Sequence, residues 1–125
     1  MPADRESRVE TGRQGEKCAA DHLAGLGYII LERNWRAGAN GEIDLVAMDE
    51  SSLVFVEVKT STSGSFGPPE GWVTPKKQKR LTGLAERFLA SHEGEFEAAR
   101  FDVVAVRRYQ GRWIVKHIKD AFDAL

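Results

Sequence analysis

The chain has 125 residues, of which 42% are hydrophobic and 30% charged, and its net charge is −1. That length carries one domain with its own core, residues 1–125, and that balance excludes a disordered or fibrous protein. No apolar run approaches the ~20 residues that a bilayer-spanning helix needs, residues 1–12 contain no apolar stretch of a secretory signal, and a single cysteine, Cys18, excludes an internal disulfide or a cysteine-rich zinc site. A cytoplasmic protein without membrane attachment is expected, and with no global positive charge any nucleic-acid partner has to be met by local clusters.

Residues 1–7 are read as a frayed, disordered end. From about Val9 to Leu26 the recurrence of Ala19, Ala20, Leu23 and Leu26 predicts a helix stopped by Gly27. Glu16 lies three and four residues before Ala19 and Ala20, so it either points along the apolar stripe or sits at its edge in solvent; helix geometry leaves both open. Arg13 shares this side and meets phosphate or water. Cys18 and His22 are four apart, but two isolated soft ligands make no metal site, and packing or surface roles are expected.

Tyr28 to Arg36 reads as a first strand, with Trp35 a core or edge aromatic and Arg36 facing solvent or a phosphate backbone. A glycine-bearing connection, Ala37 to Gly41, leads into two β-branched runs, Ile43–Met48 and Leu53–Val58, separated by the polar turn Asp49-Glu50-Ser51-Ser52. Alternation puts Glu42, Asp44, Val46 and Met48 on one face of the first and Leu53, Phe55, Glu57 and Lys59 on one face of the second. A two- or four-residue turn centred on Glu50-Ser51 places 44 opposite 57 and 42 opposite 59, with facing Cβ atoms roughly 5 Å apart. Facing carboxylates repel, and burying either unpaired is costly. A divalent cation is the simplest compensation, because hard oxygens from one or two carboxylates are what Mg²⁺ (or Mn²⁺) takes. Lys59, on the face of Glu57, is placed to orient a water or to steady charge on a phosphate. The apolar residues on both faces of Leu53–Val58 predict a central strand covered on both sides.

Thr60 to Val73 is rich in Ser, Gly and Pro and reads as a mobile loop, a substrate-contacting flap or a merely flexible connection, with Phe66 and Trp72 as anchors. Thr74 as N-cap and Pro75 at the first helical position open a second helix, whose stripe is Leu81, Leu84, Ala85, Phe88 and Leu89. Lys76, Lys77, Lys79 and Arg80 crowd its first turns, the wrong end for cations, which points to an external anion such as a phosphate backbone. Gln78 faces the sheet near the acids. Arg100–Val106 is a further strand whose Asp102 is either a helper carboxylate or, the preferred reading, a residue bonded to backbone; Trp113–Ile118 follows the turn at Gln110-Gly111, and Asp120–Leu125 is expected to form a short helix. His92 and His117 show no partner.

The helix with Glu16, then Gly41-Glu42-Ile43-Asp44-Leu45, then Phe55-Val56-Glu57-Val58-Lys59, then Thr74-Pro75-Lys76-Lys77-Gln78, resembles the YraN-like family of predicted endonucleases, within the restriction-endonuclease-like superfamily and similar to archaeal Holliday-junction resolvases. Gly15-Glu16, Asn34-Trp35-Arg36 and Phe101-Asp102-Val103-Val104 fit as well. The resemblance covers about Gly15 to Phe122. It implies an α/β fold, a central mixed sheet flanked by helices in α-β-β-β-α-β order. It further implies that Asp44 and Glu57 hold Mg²⁺ with the Val58 carbonyl, that Lys59 positions the attacking water, and that Glu16 completes the acids. The expected activity is Mg²⁺-dependent hydrolysis of DNA phosphodiesters, in branched or structured DNA. A non-catalytic nucleic-acid-binding module and a protein-interaction domain of the same fold are the alternatives. A symmetric junction needs two sites, so a homodimer is a further expectation.

Overall fold

The computed structural model describes residues 5–39, 41–61 and 65–123, the side chains of 5–7 and 70 excepted. Helix α1 (Arg5–Gly25) is followed by strands β1 (Ile29–Arg36), β2 (Glu42–Asp49) and β3 (Ser52–Ser61), a 3-10 turn at Pro69–Gly71, helix α2 (Pro75–Ser91), and strands β4 (Ala98–Tyr109) and β5 (Arg112–Ile118). The strands form one sheet in the order β1-β2-β3-β4-β5. All neighbours are antiparallel except β3 and β4, which run parallel because α2 carries the chain back between them. The result is a mixed α/β sheet between two helices. Among the described residues no helix is long and apolar enough to cross a membrane.

The two faces of β3 explain the layering. Leu53 and Phe55 pack with Leu81, Leu84, Ala85 and Phe88 of α2, whereas Val54 and Val56 pack with Ala19, Ala20 and Leu23 of α1. A strand that is apolar on both faces has to lie where both are covered, and β3 is the middle strand. The turns follow their local chemistry. Asp49 pairs with Ser52 across a two-residue turn in which Glu50 has φ +53°. Gln110 and Gly111, with φ +49° and +76°, close the β4–β5 hairpin in the twist that suits a right-handed sheet. Thr74 caps α2, its Oγ1 accepting the Lys77 N–H at 3.2 Å. Phe66 and Trp72 do anchor their segment: the Trp72 indole donates to the Phe66 carbonyl at 2.9 Å, and the two rings lie 5.6 Å apart.

Three expectations fail. Helix α1 starts at Arg5, within the end expected to fray, of which residues 1–4 lie outside the described residues, and it stops at Gly25, so Leu26 lies beyond it and is 55% exposed rather than in the stripe. The expected helix at Asp120–Leu125 does not form over 120–123, and 124–125 lie outside the described residues. Asp120 takes φ +51°, Ala121 donates its N–H to the Phe101 carbonyl at 2.8 Å, and Phe122 stacks on Phe101 at 4.6 Å. The segment is a strap on the sheet, held by contacts a helix would forfeit. The third concerns His117. Asp102 does bond backbone as expected, but not backbone alone. Its fully buried carboxylate accepts Arg100 Nε at 2.9 Å and the Asp120 N–H at 3.1 Å, and meets His117 Nε2 at 2.8 Å. His117, expected to be without a partner, therefore has one.

Candidate metal centre

The site forms where β2 and β3 part. Their residue pairing holds from Asp49–Ser52 to Leu45–Val56, the register expected from a two-residue turn, and ends there. The expected pairs 44–57 and 42–59 are not made. In place of a ladder bond, Asp44 Oδ2 accepts the Val58 N–H at 2.8 Å. The side-chain alternation of β2 also resets at this point. Val46 packs on the α2 side and Leu45 on the α1 side, yet Ile43 joins Val46. Glu42 and Asp44 thereby leave the face of Val46 and Met48 and gather at the end of the sheet with Glu16 of α1.

Helix α1 reaches that point because it crosses the sheet closely. Gly15 is buried, and a Cβ there would lie 2.2 Å from Thr60 Oγ1 and 3.1 Å from Val106 Cγ2. Only glycine allows this approach, and the next residue is Glu16. Oxygens of Glu16, Glu42 and Asp44 lie within 4.8 Å of one another. Asn34 ties two of the acids together, its Nδ2 donating to Glu16 Oε2 at 3.0 Å and to Glu42 Oε1 at 3.1 Å. Asn34 has φ +50°, a conformation that asparagine tolerates better than most residues. A register shift between Ile30 and Glu32 precedes it on β1.

The electrostatics are those of a site short of positive charge. Burial pushes the Asp44 carboxyl up to about 8; the Glu57 charge adds to this, the Val58 N–H opposes it, and Glu16 and Glu42 contribute further. Arg36 pairs with Glu42 at 3.0 Å, and Lys77 from the first turn of α2 pairs with Glu57. Among the described residues neither these nor any other cationic side chain is bonded to Asp44. The donor set fits a hard divalent cation. All its atoms are carboxylate oxygens, and a separation under 4.8 Å matches oxygens about 2.0–2.6 Å from a shared ion.

The remaining expected residues divide. Glu16 and Asp44 are brought together, and Glu57 stands beside them through Val58 but outside the trio. Val58 is half-buried, packed toward α1. Lys59 is half-buried on β3 beside Ala105 of β4. Arg13 and Lys76 are exposed, and Gln78 donates to the Val73 carbonyl at 3.0 Å. Lys79 and Arg80 line an open groove of about 550 Å³ with Ala39, Gly41 and Arg87, next to Glu42 in the chain. Sequence reasoning left Glu42, Asn34 and Arg87 out of the site. Glu42 carried a signal in its two-residue spacing from Asp44; Asn34 and Arg87 carried none, since their roles come from a β-bulge and from helix placement.

The profile of the uncharacterised protein family UPF0102 matches residues 15–106, which include every acid of the site. A UPF0102 protein of Streptomyces coelicolor is 46% identical over 94% of this chain and 92% of its own length. Another, of Anaeromyxobacter dehalogenans, is 46% identical over 96% and 89%, and one of Geotalea uraniireducens 43% over 96% and 94%. Among solved structures, that of Pyrococcus furiosus SfsA in complex with Ca²⁺ aligns with a TM-score of 0.42 at 12% identity, over 90% of this chain and 63% of that one.

Proposed function

The chain belongs to the uncharacterised protein family UPF0102, and from that membership and the site geometry we propose that it is a metal-dependent endonuclease that hydrolyses DNA phosphodiesters, with branched or structured DNA as its substrate. The observation that carries this reading is Asp44: a half-buried carboxylate, gathered with Glu16 and Glu42 and given no cation by the chain. Glu16, Glu42 and Asp44, with Glu57 and the Val58 carbonyl beside them, would hold Mg²⁺ or Mn²⁺. The bound ion would supply Lewis-acid stabilisation of charge on the phosphate and a more acidic water. Lys59, on the face of Glu57, orients the attacking water, and Asn34 fixes the carboxylates of Glu16 and Glu42 so that they need no rearrangement. Lys79, Arg80 and Arg87 along the groove, with Arg13, Arg36, Lys76 and Lys77, are the cations that a phosphate backbone would meet. The helix dipole of α2 supports this, since its first turn contains no acid to offset Lys76 and Lys77.

The test is incubation with labelled linear, flapped and four-way DNAs in Mg²⁺, Mn²⁺ or EDTA. Cleavage of a branched substrate that vanishes in EDTA and in Asp44→Asn is the expected result. Metal-independent cleavage, or none of any substrate, would overturn the reading.

A further inference from the structure

Lys77 is in an odd place for a residue meant only to greet phosphate. It is held in the first turn of α2, where the helix already presents positive charge and a further cation is disfavoured. Its ammonium does not point away from the protein but pairs with Glu57, itself 7% exposed. An unpaired carboxylate so buried is costly, so the pair does for Glu57 what no side chain does for Asp44. The backbone of Lys77 is fixed by the Thr74 cap, yet its side chain is 37% exposed, so the ammonium can leave Glu57 by rotation of its own flexible stem while the helix stays in place. Glu57 is in turn one residue from Val58, whose N–H is bonded to Asp44.

We propose that Lys77 is an interim cation of the metal centre: its ammonium occupies Glu57 while the acids hold no divalent ion, and it yields Glu57 when one binds. The proposal rests on the metal-centre reading above and gives Lys77 a positioning role within it. The ion then pays for every binding event with the displacement of an intramolecular competitor, and the free protein binds divalent cations more weakly than its acids alone would.

The test is calorimetric titration of Mn²⁺ into the metal-free protein without nucleic acid. Lys77→Met is expected to bind Mn²⁺ more tightly than the natural protein by about five- to tenfold, the lower part of the usual range for coupled sites. Lys77→Arg retains the competitor and stays near the natural value. Lys76→Met removes the same charge one residue away, where no ion pair is broken, and produces the smaller change of a screened field. If Lys77→Met is too unstable to titrate, Lys77→Gln, which keeps a donor for Glu57 without the charge, takes its place. Glu57→Gln is also compared with Glu57→Gln/Lys77→Met, which leave no buried lone carboxylate at 57. Tightening by the Lys77 variant together with equal affinities of that pair supports the proposal. Tightening that persists without Glu57, or that Lys76→Met matches, overturns it, as does an unchanged or weaker Lys77→Met. Failure of all these proteins to bind Mn²⁺ would remove the metal centre itself, and the proposal with it.

Discussion

Two aspartates on this sheet are drawn out of water in opposite ways, Asp102 fully and Asp44 in part. Asp102 on β4 is fully buried, and the chain surrounds it with partners: Arg100, which also reaches Asp49 at 3.0 Å, together with His117, Tyr28 and the Asp120 N–H. Burial alone would raise its pKa, but the bonds from His117, Arg100 and Asp120 outweigh it and hold the carboxyl below its ordinary range. Asp44 on β2 has one N–H from Val58 and three acids around it, and burial pushes its pKa upward. The chain is able to neutralise a buried aspartate and does so for Asp102. At Asp44 it supplies no cationic partner, which is the arrangement expected of a site completed by something from outside.

The largest effect expected from breaking the contrast is on the side of the satisfied network. Asp102→Ala leaves Arg100 and His117 without their shared anion and is expected to cost about 3–5 kcal/mol of stability, as for other broken buried pairs. Chemical denaturation measures it. Asp44→Asn sharpens the comparison from the other side. It removes a carboxylate from a crowd of like charges and is expected to leave the metal-free protein as stable as before or more so, while lowering cleavage by about 100-fold or more, a loss of roughly 3 kcal/mol from the several that a bound ion contributes. A melting curve and a cleavage assay on one preparation check both. Destabilisation by Asp44→Asn comparable to that of Asp102→Ala would mean that the two residues do the same structural work.

Asn34→Ala tests the support behind the open site. Losing the amide frees Glu16 and Glu42 from their common donor, and divalent affinity is expected to fall by about 10–100-fold, the usual penalty for removing an outer support of metal ligands. Mn²⁺ titration reads it. Affinity equal to that of the natural protein would show that the acids are positioned by their strands and by α1 alone.

Much of the frame is legible in the sequence alone. The register of β2 on β3 follows from the turn at Glu50-Ser51, and the central place of β3 from its apolar residues on both faces. The stripe Leu81-Leu84-Ala85-Phe88 of α2 is buried as its spacing requires. Glu16, which helix geometry could not orient, is turned toward the acids because Gly15 lets α1 press onto Thr60 and Val106. That is a contact between residues 45 and 91 positions apart, and no local pattern carries it. The same holds for the pairing of Lys77 with Glu57 and of His117 with Asp102, which exist only once strands and helices are laid side by side. The strap at Asp120–Phe122 misled for the opposite reason: its local sequence suits a helix, and the Phe101 contacts decide otherwise. Where β2 resets its alternation at Asp44, the two-residue period that served elsewhere fails, and the failure coincides with the candidate site.

The smallest predicted effect is on pH dependence, and there the two aspartates act with opposite signs. An ordinary aspartate ionises near pH 4. Asp102 has its folded pKa below that value, so its contribution to stability is present above about pH 4 and is lost as the pH falls through the folded pKa. Asp44 is raised to about 8, so between about pH 4 and pH 8 the folded chain holds a proton that the unfolded chain has released. Stability contributed by Asp44 therefore declines as pH rises through that window. A divalent ion has to displace the same proton, so its affinity should climb with pH, by up to about tenfold per unit, and level off above about 8. Calorimetric titrations of Mn²⁺ at pH 6, 7 and 8 in buffers of differing ionisation enthalpy would show both the rise and the released proton. In Asp44→Asn the rise should flatten while the acid limb governed by Asp102 stays where it was; a pH-independent affinity in the natural protein would place the ion away from Asp44.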